Sequence, residues 1–383
     1  MHFVYVERGY PRSSGEIGGA GMYVRAIALE LIRRGHSVSV ICGKDSNRSG
    51  MFLDKDIEVY PEYQNHPISF FLQKFLIFNF LLSLFKYFED GIHIRKILKI
   101  IDKKKKIDFI EYSEGGDFWT SLFKDYFYIS HLHGSSFTFK KNSNKKIEFK
   151  DWIKRKAELF FIKNASLIIS PSKAMANLVK GEMKLNLKIS IIPYPVRFIY
   201  NEKLIIRKKQ NNLPVKLIFA SRNDPIKGGE LLINSLRLLD SIIKKKIEVS
   251  IYGYIPMNNY EDLSFLKIFK FISHEDLKKV YLESDICVIP SIFDNSPNTV
   301  YEAMAYGKIV VASNIGGISE IINDPKNGYL FRCNDCKDLS LKISNAVNLI
   351  GSGESLKMSK NAINRITDIA SLKKNVDYRL SLL

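Results

Sequence analysis

The chain has 383 residues, 46% of them hydrophobic and 12% aromatic, and its 58 lysines and arginines against 40 acids give a formal net charge of +18. That length is too great for one average core and suits two α/β domains, while the apolar content excludes a globally disordered chain. Four cysteines (Cys42, Cys287, Cys333, Cys336) fit a reducing compartment better than a disulfide framework, and the opening MHFVYVERGYP lacks the blocks of a signal peptide, so a cytoplasmic location is expected.

Residues 2–6 (HFVYV) read as a first strand, followed by a loop punctuated by Gly15, Gly18, Gly19 and Gly21. Val24, Ile27, Ala28, Leu31 and Ile32 then keep helical spacing as far as Gly35, and SVSVIC (37–42) is the next strand. Strand, helix, strand implies a parallel sheet. Further strands are predicted at 107–112, 126–132, 166–170 and 188–193, and the polar, lysine-rich stretch from Tyr194-Pro195 to Pro214 reads as a linker. Beyond it the rhythm restarts with strands at 215–220, 247–253, 268–272, 285–290 and 308–313. The fold class is therefore α/β, with two doubly wound, Rossmann-like domains facing across a cleft.

Residues 68–88 (ISFFLQKFLIFNFLLSLFKYF) are apolar enough to span a membrane by length, but Gln73, Lys74, Asn79 and Lys86 would be costly in hydrocarbon. An amphipathic helix or helical hairpin is expected instead, either packed on the domain or lying on an anionic membrane surface through 68–106. The lysine clusters at 103–106, 140–156, 207–209 and 244–246 attract nucleic acid, anionic lipid or phosphorylated substrates. They are scattered between elements and carry no recognition motif, so a nucleic-acid partner is not expected.

In PSIFDNSPNTVYEAMAYGKIVVASNIGG (290–317), Ser296-Pro297 forms a helix start, with serine as cap and proline in the first turn. The backbone N–H groups of Asn298, Thr299 and Val300 then stand where a phosphate is stabilised. Glu302, one turn on, can accept hydrogen bonds from ribose hydroxyls, and Asp294 can meet hydroxyls of a sugar beyond the phosphates. IFASRNDPIKGG (218–229) adds Arg222 past a strand end and Lys227 before a glycine-led helix start. Two such cations stabilise a departing diphosphate. Taken singly, each feature is also an ordinary capped helix or solvated turn.

DPIKGGELLINSL, followed by PSIFDNSPNTVYEAMAYGKIVVASNIGGISEII, resembles the retaining family-4 glycosyltransferases of GT-B fold, also described as glycosyl transferases group 1. GGAGMYVRAIALELIRRGHSVSVI is similar to that family's opening loop and helix, and YISHLHGS to its strand ending in a functional histidine. The family's Glu-x7-Glu pair appears as Asp294 and Glu302, with aspartate in place of the more frequent glutamate. The resemblance implies that Arg222 and Lys227 bind the diphosphate, Glu302 the ribose and Asp294 the donor sugar. It also implies that Gly18 and Gly19 allow backbone to approach the donor, and that His133 contacts the transferred sugar, although His131 is close enough to be confused with it. An acceptor-side domain at 1–195, a nucleotide-sugar domain at 196–361 and a C-terminal helix near 362–383 packed on the first domain also follow from it.

The implied reaction is metal-independent, retaining transfer from a nucleotide-diphosphate sugar to a glycan or lipid-linked acceptor in bacterial surface-polysaccharide synthesis, with no cofactor. A nucleotide-sugar epimerase or a non-catalytic nucleotide-sugar-binding protein are the alternatives. Cys333-x-x-Cys336 has the spacing of half a zinc site without a matching half, so no metal site is expected. The opening glycines do not spell G-x-G-x-x-G, which disfavours a nicotinamide site. Glu111 and Glu114, past a strand end, are read either as acceptor ligands or base, or as solvated loop acids.

Overall fold

The structure is a computed structural model that describes residues 1–10, 19–43, 50–62, 79–114, 116–142, 145–196, 214–256 and 260–383. The chain divides into two compact units: Met1–Pro195 with Asn375–Leu383, and Val196–Lys374.

The first unit runs β1 (His2–Val6), α1 (Gly19–Arg33), β2 (Ser37–Cys42), β3 (Phe52–Asp54), β4 (Ile57–Pro61), α2 (Asn79–Lys104), β5 (Phe109–Ser113), α3 (Phe118–Phe123), β6 (Phe127–His131), α4 (Ser136–Asn142), α5 (Phe149–Lys163), β7 (Leu167–Ser170), α6 (Lys173–Met183) and β8 (Ser190–Ile191). Its sheet order is β3-β4-β2-β1-β5-β6-β7-β8, parallel throughout except for the antiparallel β3–β4 pair. The strand order reverses between β1 and β5, so their carboxyl ends mark the switch point where α/β sheets bind ligands. Ile94, Leu98 and Ile101 of α2, spaced four and three apart, pack on Val4, Val6, Ile41 and Ile110. β1 is buried along its whole length, which explains why it reads as a continuous apolar run.

The second unit runs β9 (Val215–Ala220), a 3₁₀ turn (Pro225–Lys227), α7 (Gly229–Arg237), α8 (Ser241–Lys246), β10 (Ile247–Tyr252), β11 (Leu266–Phe269), α9 (His274–Glu283), β12 (Ile286–Ile289), α10 (Asn298–Ala305), β13 (Ile309–Ser313), α11 (Ile318–Ile321), β14 (Tyr329–Phe331), α12 (Cys336–Leu349) and α13 (Gly353–Ala370). Its sheet is β11-β10-β9-β12-β13-β14, parallel in every pairing, with the reversal between β9 and β12. Leu217, Phe219, Ile251, Val288 and Val311 form its centre, with Leu232 and Leu236 of α7 and Leu339 and Ile343 of α12 against them.

The single helix expected near 362–383 is two helices. α13 ends at Ala370, Ser371 turns extended, and α14 (Leu372–Ser381) follows. Asn375, Val376 and Arg379 are the buried residues of α14. Strands β3, β4 and β14 are additions to the sequence reading. They are short and lie at or near sheet edges, and half-exposed alternation in β4 weakens their apolar signal. Most of the 68–88 segment lies outside the described residues; 79–88 belongs to α2, and among the described residues no helix is long and apolar enough to cross a membrane.

Candidate functional site

In the second unit, the chain leaves β9 and folds at once into the Pro225–Lys227 turn, which Asp224 caps by accepting the Ile226 N–H at 3.2 Å. Gly228 closes the turn at φ 77°, and a Cβ there would lie 1.9 Å from the Pro290 carbonyl oxygen. The Ile292 N–H donates to the Ile226 carbonyl at 2.8 Å. Two switch-point loops, after β9 and after β12, are thereby held backbone to backbone. Lys227 uses this closeness: its Nζ sits 2.6 Å from Asp294 Oδ2, with both side chains largely buried. Arg222 is exposed, and its guanidinium makes no ion pair among the described residues.

The helix start differs from the expectation. Pro297, not Ser296, is the N-cap, and no side chain caps α10. The Ser296 hydroxyl is instead bonded to the Tyr301 hydroxyl at 2.8 Å. Val300 is not free either, because its N–H donates to the Pro297 carbonyl at 3.0 Å. Of the three amides expected to meet phosphate, those of Asn298 and Thr299 have no acceptor among the described residues. With serine diverted, these amides and the helix dipole remain available for an anion. Gly316 packs its backbone against the Asp294 carbonyl, where a Cβ would stand 2.0 Å away, and the Gly317 N–H donates to the Asn295 carbonyl at 3.0 Å. The Gly-Gly turn after β13 thus buttresses the acidic loop.

Glu302 is fastened at both oxygens. His274 Nε2 lies 2.9 Å from Oε1, and the Tyr281 hydroxyl donates to Oε2 at 3.3 Å. Tyr281 is buried, stacks on Tyr306 at 5.4 Å, and burial with the Glu302 charge raises its phenol far above the ordinary range, so it remains a donor. His274 and Tyr281 were not among the residues singled out in the sequence. His274 is the first residue of α9 and Tyr281 looks like a core position of it, so neither carries a local pattern that marks a partner of Glu302.

In the first unit, His131 ends β6 and His133 follows two residues later, so an extended backbone turns both rings to one side. The rings stack 4.3 Å apart at 21°. His131 is fully buried, and its Nδ1 lies 3.1 Å from Glu111 Oε1. His133 is half-buried, with Nδ1 2.6 Å from the Tyr194 hydroxyl and the two rings stacked at 5.5 Å. Burial holds both imidazoles well below their ordinary pKa, with His131 and Arg379 adding repulsion. Both are neutral hydrogen-bonding groups at physiological pH.

Beneath them lies an ion pair that no local sequence pattern marks. Arg379 of α14, fully buried, donates to Glu111 Oε2 and to the Tyr23 hydroxyl. Glu111 therefore is no solvated loop acid; it is 4% exposed, and burial pushes its carboxyl upward against the pull of Arg379. Glu114, at φ 64°, is also buried. Its N–H donates to the His131 carbonyl at 2.6 Å, its Oε2 accepts the Gly134 N–H at 2.7 Å, and Arg155 approaches its Oε1 at 3.4 Å. Both acids brace the histidine-bearing strand end. Gly18 lies outside the described residues, and Gly19 is the exposed first residue of α1. The close backbone approach belongs to Gly21, whose Cβ would stand 2.2 Å from the Gly9 carbonyl oxygen. Cys333 and Cys336 point at separate carbonyls, of Ile292 and Leu231, and among the described residues no three His, Cys, Asp or Glu side chains gather as a metal site.

The family model described as Glycosyltransferase Family 4 matches residues 17–197, and that described as Glycosyl transferases group 1 matches residues 201–365. The chain belongs to this glycosyltransferase family. An uncharacterized glycosyltransferase of Methanocaldococcus jannaschii is 27% identical over 279 residues, which is 70% of this chain and 73% of that protein. The UDP-Gal:alpha-D-GlcNAc-diphosphoundecaprenol alpha-1,3-galactosyltransferase of Escherichia coli is 23% identical over 64% of this chain and 66% of its own length. Among solved structures, sucrose-phosphate synthase from Thermosynechococcus elongatus shares the fold with a TM-score of 0.77 at 16% identity, covering 100% of this chain and 98% of that one. The fold is GT-B, and the protein is a group 1 glycosyltransferase that uses a nucleotide sugar.

Proposed function

We propose that this glycosyltransferase moves a sugar from a nucleotide-diphosphate donor to a glycan or lipid-linked acceptor, retaining the anomeric configuration and requiring no metal. The observation that carries the donor reading is the second unit's polar set: Lys227 against Asp294, two unclaimed amides at Asn298 and Thr299, and Glu302 held open by His274 and Tyr281. Lys227, Arg222 and the two amides supply positive potential for a diphosphate, and Glu302 supplies an oriented acceptor for ribose hydroxyls. Asp294 takes hydroxyls of the donor sugar when Lys227 turns to phosphate.

In the proposed reaction the bond between C1 of the sugar and the β-phosphate oxygen breaks, and its electron pair leaves with the nucleoside diphosphate. The acceptor oxygen bonds to C1 from the same face, and its proton passes to the departing phosphate oxygen. Charge builds on the leaving phosphate, where Lys227 and Arg222 stabilise it without a cation. His133, neutral and fixed by Tyr194, contacts the transferred sugar. Synthesis of bacterial surface polysaccharide on a lipid carrier fits the name of the Escherichia coli relative, and peripheral contact of 68–106 with an anionic membrane would bring such an acceptor within reach.

A thermal-shift panel of UDP, GDP, ADP and CDP, followed by hydrolysis of matching sugar donors in the presence of EDTA, tests this reading. Stabilisation by one diphosphate and EDTA-resistant turnover are expected, with the anomeric configuration read by NMR of the product. Stabilisation by none would overturn the donor assignment.

A further inference from the structure

The outward face of α5 carries a feature the transfer reaction does not use. Phe149, Trp152 and Phe160 are 70%, 50% and 44% exposed. Spaced with Lys156 and Lys163 at intervals of three and four, they form one stripe along the helix, beside the face that buries Arg155, Leu159 and Ile162. Solvent-facing tryptophan and phenylalanine in one row signify a partner rather than scatter. Trp152 is also held in place, its ring packed edge-on against the buried Phe137 at 4.8 Å.

The charge on this face has one sign. Both acids within α5, Asp151 and Glu158, are buried and engaged by Lys140 and Arg155. Glu148, ahead of the helix, is paired with Lys150. Lys156 and Lys163 within the stripe, and Lys145 and Lys146 ahead of the helix, are exposed. Aromatic rings alternating with lysines match the boundary of an anionic bilayer, where indole sits at headgroup level and lysine stems reach phosphate. We propose that the Phe149–Trp152–Phe160 stripe of α5, with its flanking lysines, docks the enzyme on an anionic lipid surface. This surface is separate from the 68–106 segment and does not depend on which donor or acceptor the enzyme uses.

The test uses vesicles of equimolar phosphatidylglycerol and phosphatidylcholine against phosphatidylcholine alone. The chain has two tryptophans, so W119F leaves Trp152 as the reporter. Co-sedimentation with the anionic vesicles is expected, with blue-shifted Trp152 emission that brominated acyl chains quench. W152A/F160A should weaken partitioning by at least about tenfold, and K156E/K163E by roughly thirtyfold. Both variants should keep the wild-type thermal shift with the preferred nucleoside diphosphate, which separates a docking defect from a donor-site failure. No vesicle binding, undiminished binding by W152A/F160A, or unshifted Trp152 emission in the bound state would overturn the proposal. So would lipid-free, concentration-dependent burial of Trp152, which points to a second copy, or binding of single-stranded RNA in place of vesicles.

Discussion

His131 and His133 stack ring on ring at 4.3 Å, yet only His131 is fully buried as a residue. The pair divides two tasks: His131 ties β6 to Glu111, and His133 presents a neutral imidazole braced by Tyr194. H133A should lower kcat about a hundredfold while changing stability by less than about 1 kcal/mol. H131A should instead cost about 2–4 kcal/mol, because it opens a cavity beside the Glu111–Arg379 pair. Urea titration beside steady-state kinetics separates the two, and equal loss of turnover at equal stability would refute the division.

Lys227 and Asp294 act as each other's counter-ion in the absence of donor. K227A should reduce kcat/KM by about two to three orders of magnitude. It should also destabilise the fold by about 1–3 kcal/mol, since Asp294 is then buried without its cation. K227A/D294N should recover most of that stability and none of the turnover, as differential scanning calorimetry and donor assays would show.

Glu302 has two donors, and their removal should be graded. E302A is expected to abolish transfer, whereas H274A leaves Tyr281 in place and should raise the donor KM about tenfold with kcat little changed. A fall in kcat alone would place His274 in the chemical step instead.

Burial pushes the Glu114 carboxyl up from 4.5 to about 7. The folded chain therefore holds a proton between those values that the unfolded chain has released, so stability is lost as pH rises through about 7 and regained as it falls. E114Q keeps an acceptor for the Gly134 N–H and removes the titration. Its melting temperature should exceed that of the parent at pH near 8, with the gap closing toward pH 5.

Two glycines with positive φ should respond unequally to alanine. G228A drives a Cβ to 1.9 Å from the Pro290 carbonyl, whereas G35A, at φ 83°, meets nothing within 4 Å. G35A should cost about 1 kcal/mol from left-handed strain alone, and G228A at least twice that with loss of donor binding.

The βα alternation, the switch-point loops and the residues Lys227, Asp294 and Glu302 were legible in the sequence, because buried parallel strands read as apolar runs and the site loops follow them directly. The capping of α10 departs from the expectation: Ser296 has the right identity but stands one residue ahead of the Pro297 cap, and its hydroxyl pairs with Tyr301. Tyr194 was hidden in a stretch that reads as linker. Arg379 was out of reach for a different reason, since it meets His131 across 248 positions and nothing in α14 itself announces a buried cation. Glu111 and Glu114 stayed open between ligand, base and solvated acid, because an acid within or just after a strand gives no sign of the arginine that will meet it; Glu111 in fact lies inside β5.

The return of residues 375–383 to the first unit has a consequence for biogenesis. A nascent chain that has just emerged through Pro195 carries Glu111 in a sheet whose cation has not yet been made. The whole second unit must be translated before Arg379 arrives to neutralise that carboxylate. The first unit is therefore the last to mature, and ribosome-bound chains halted before 375 should be open to protease around β5 and β6.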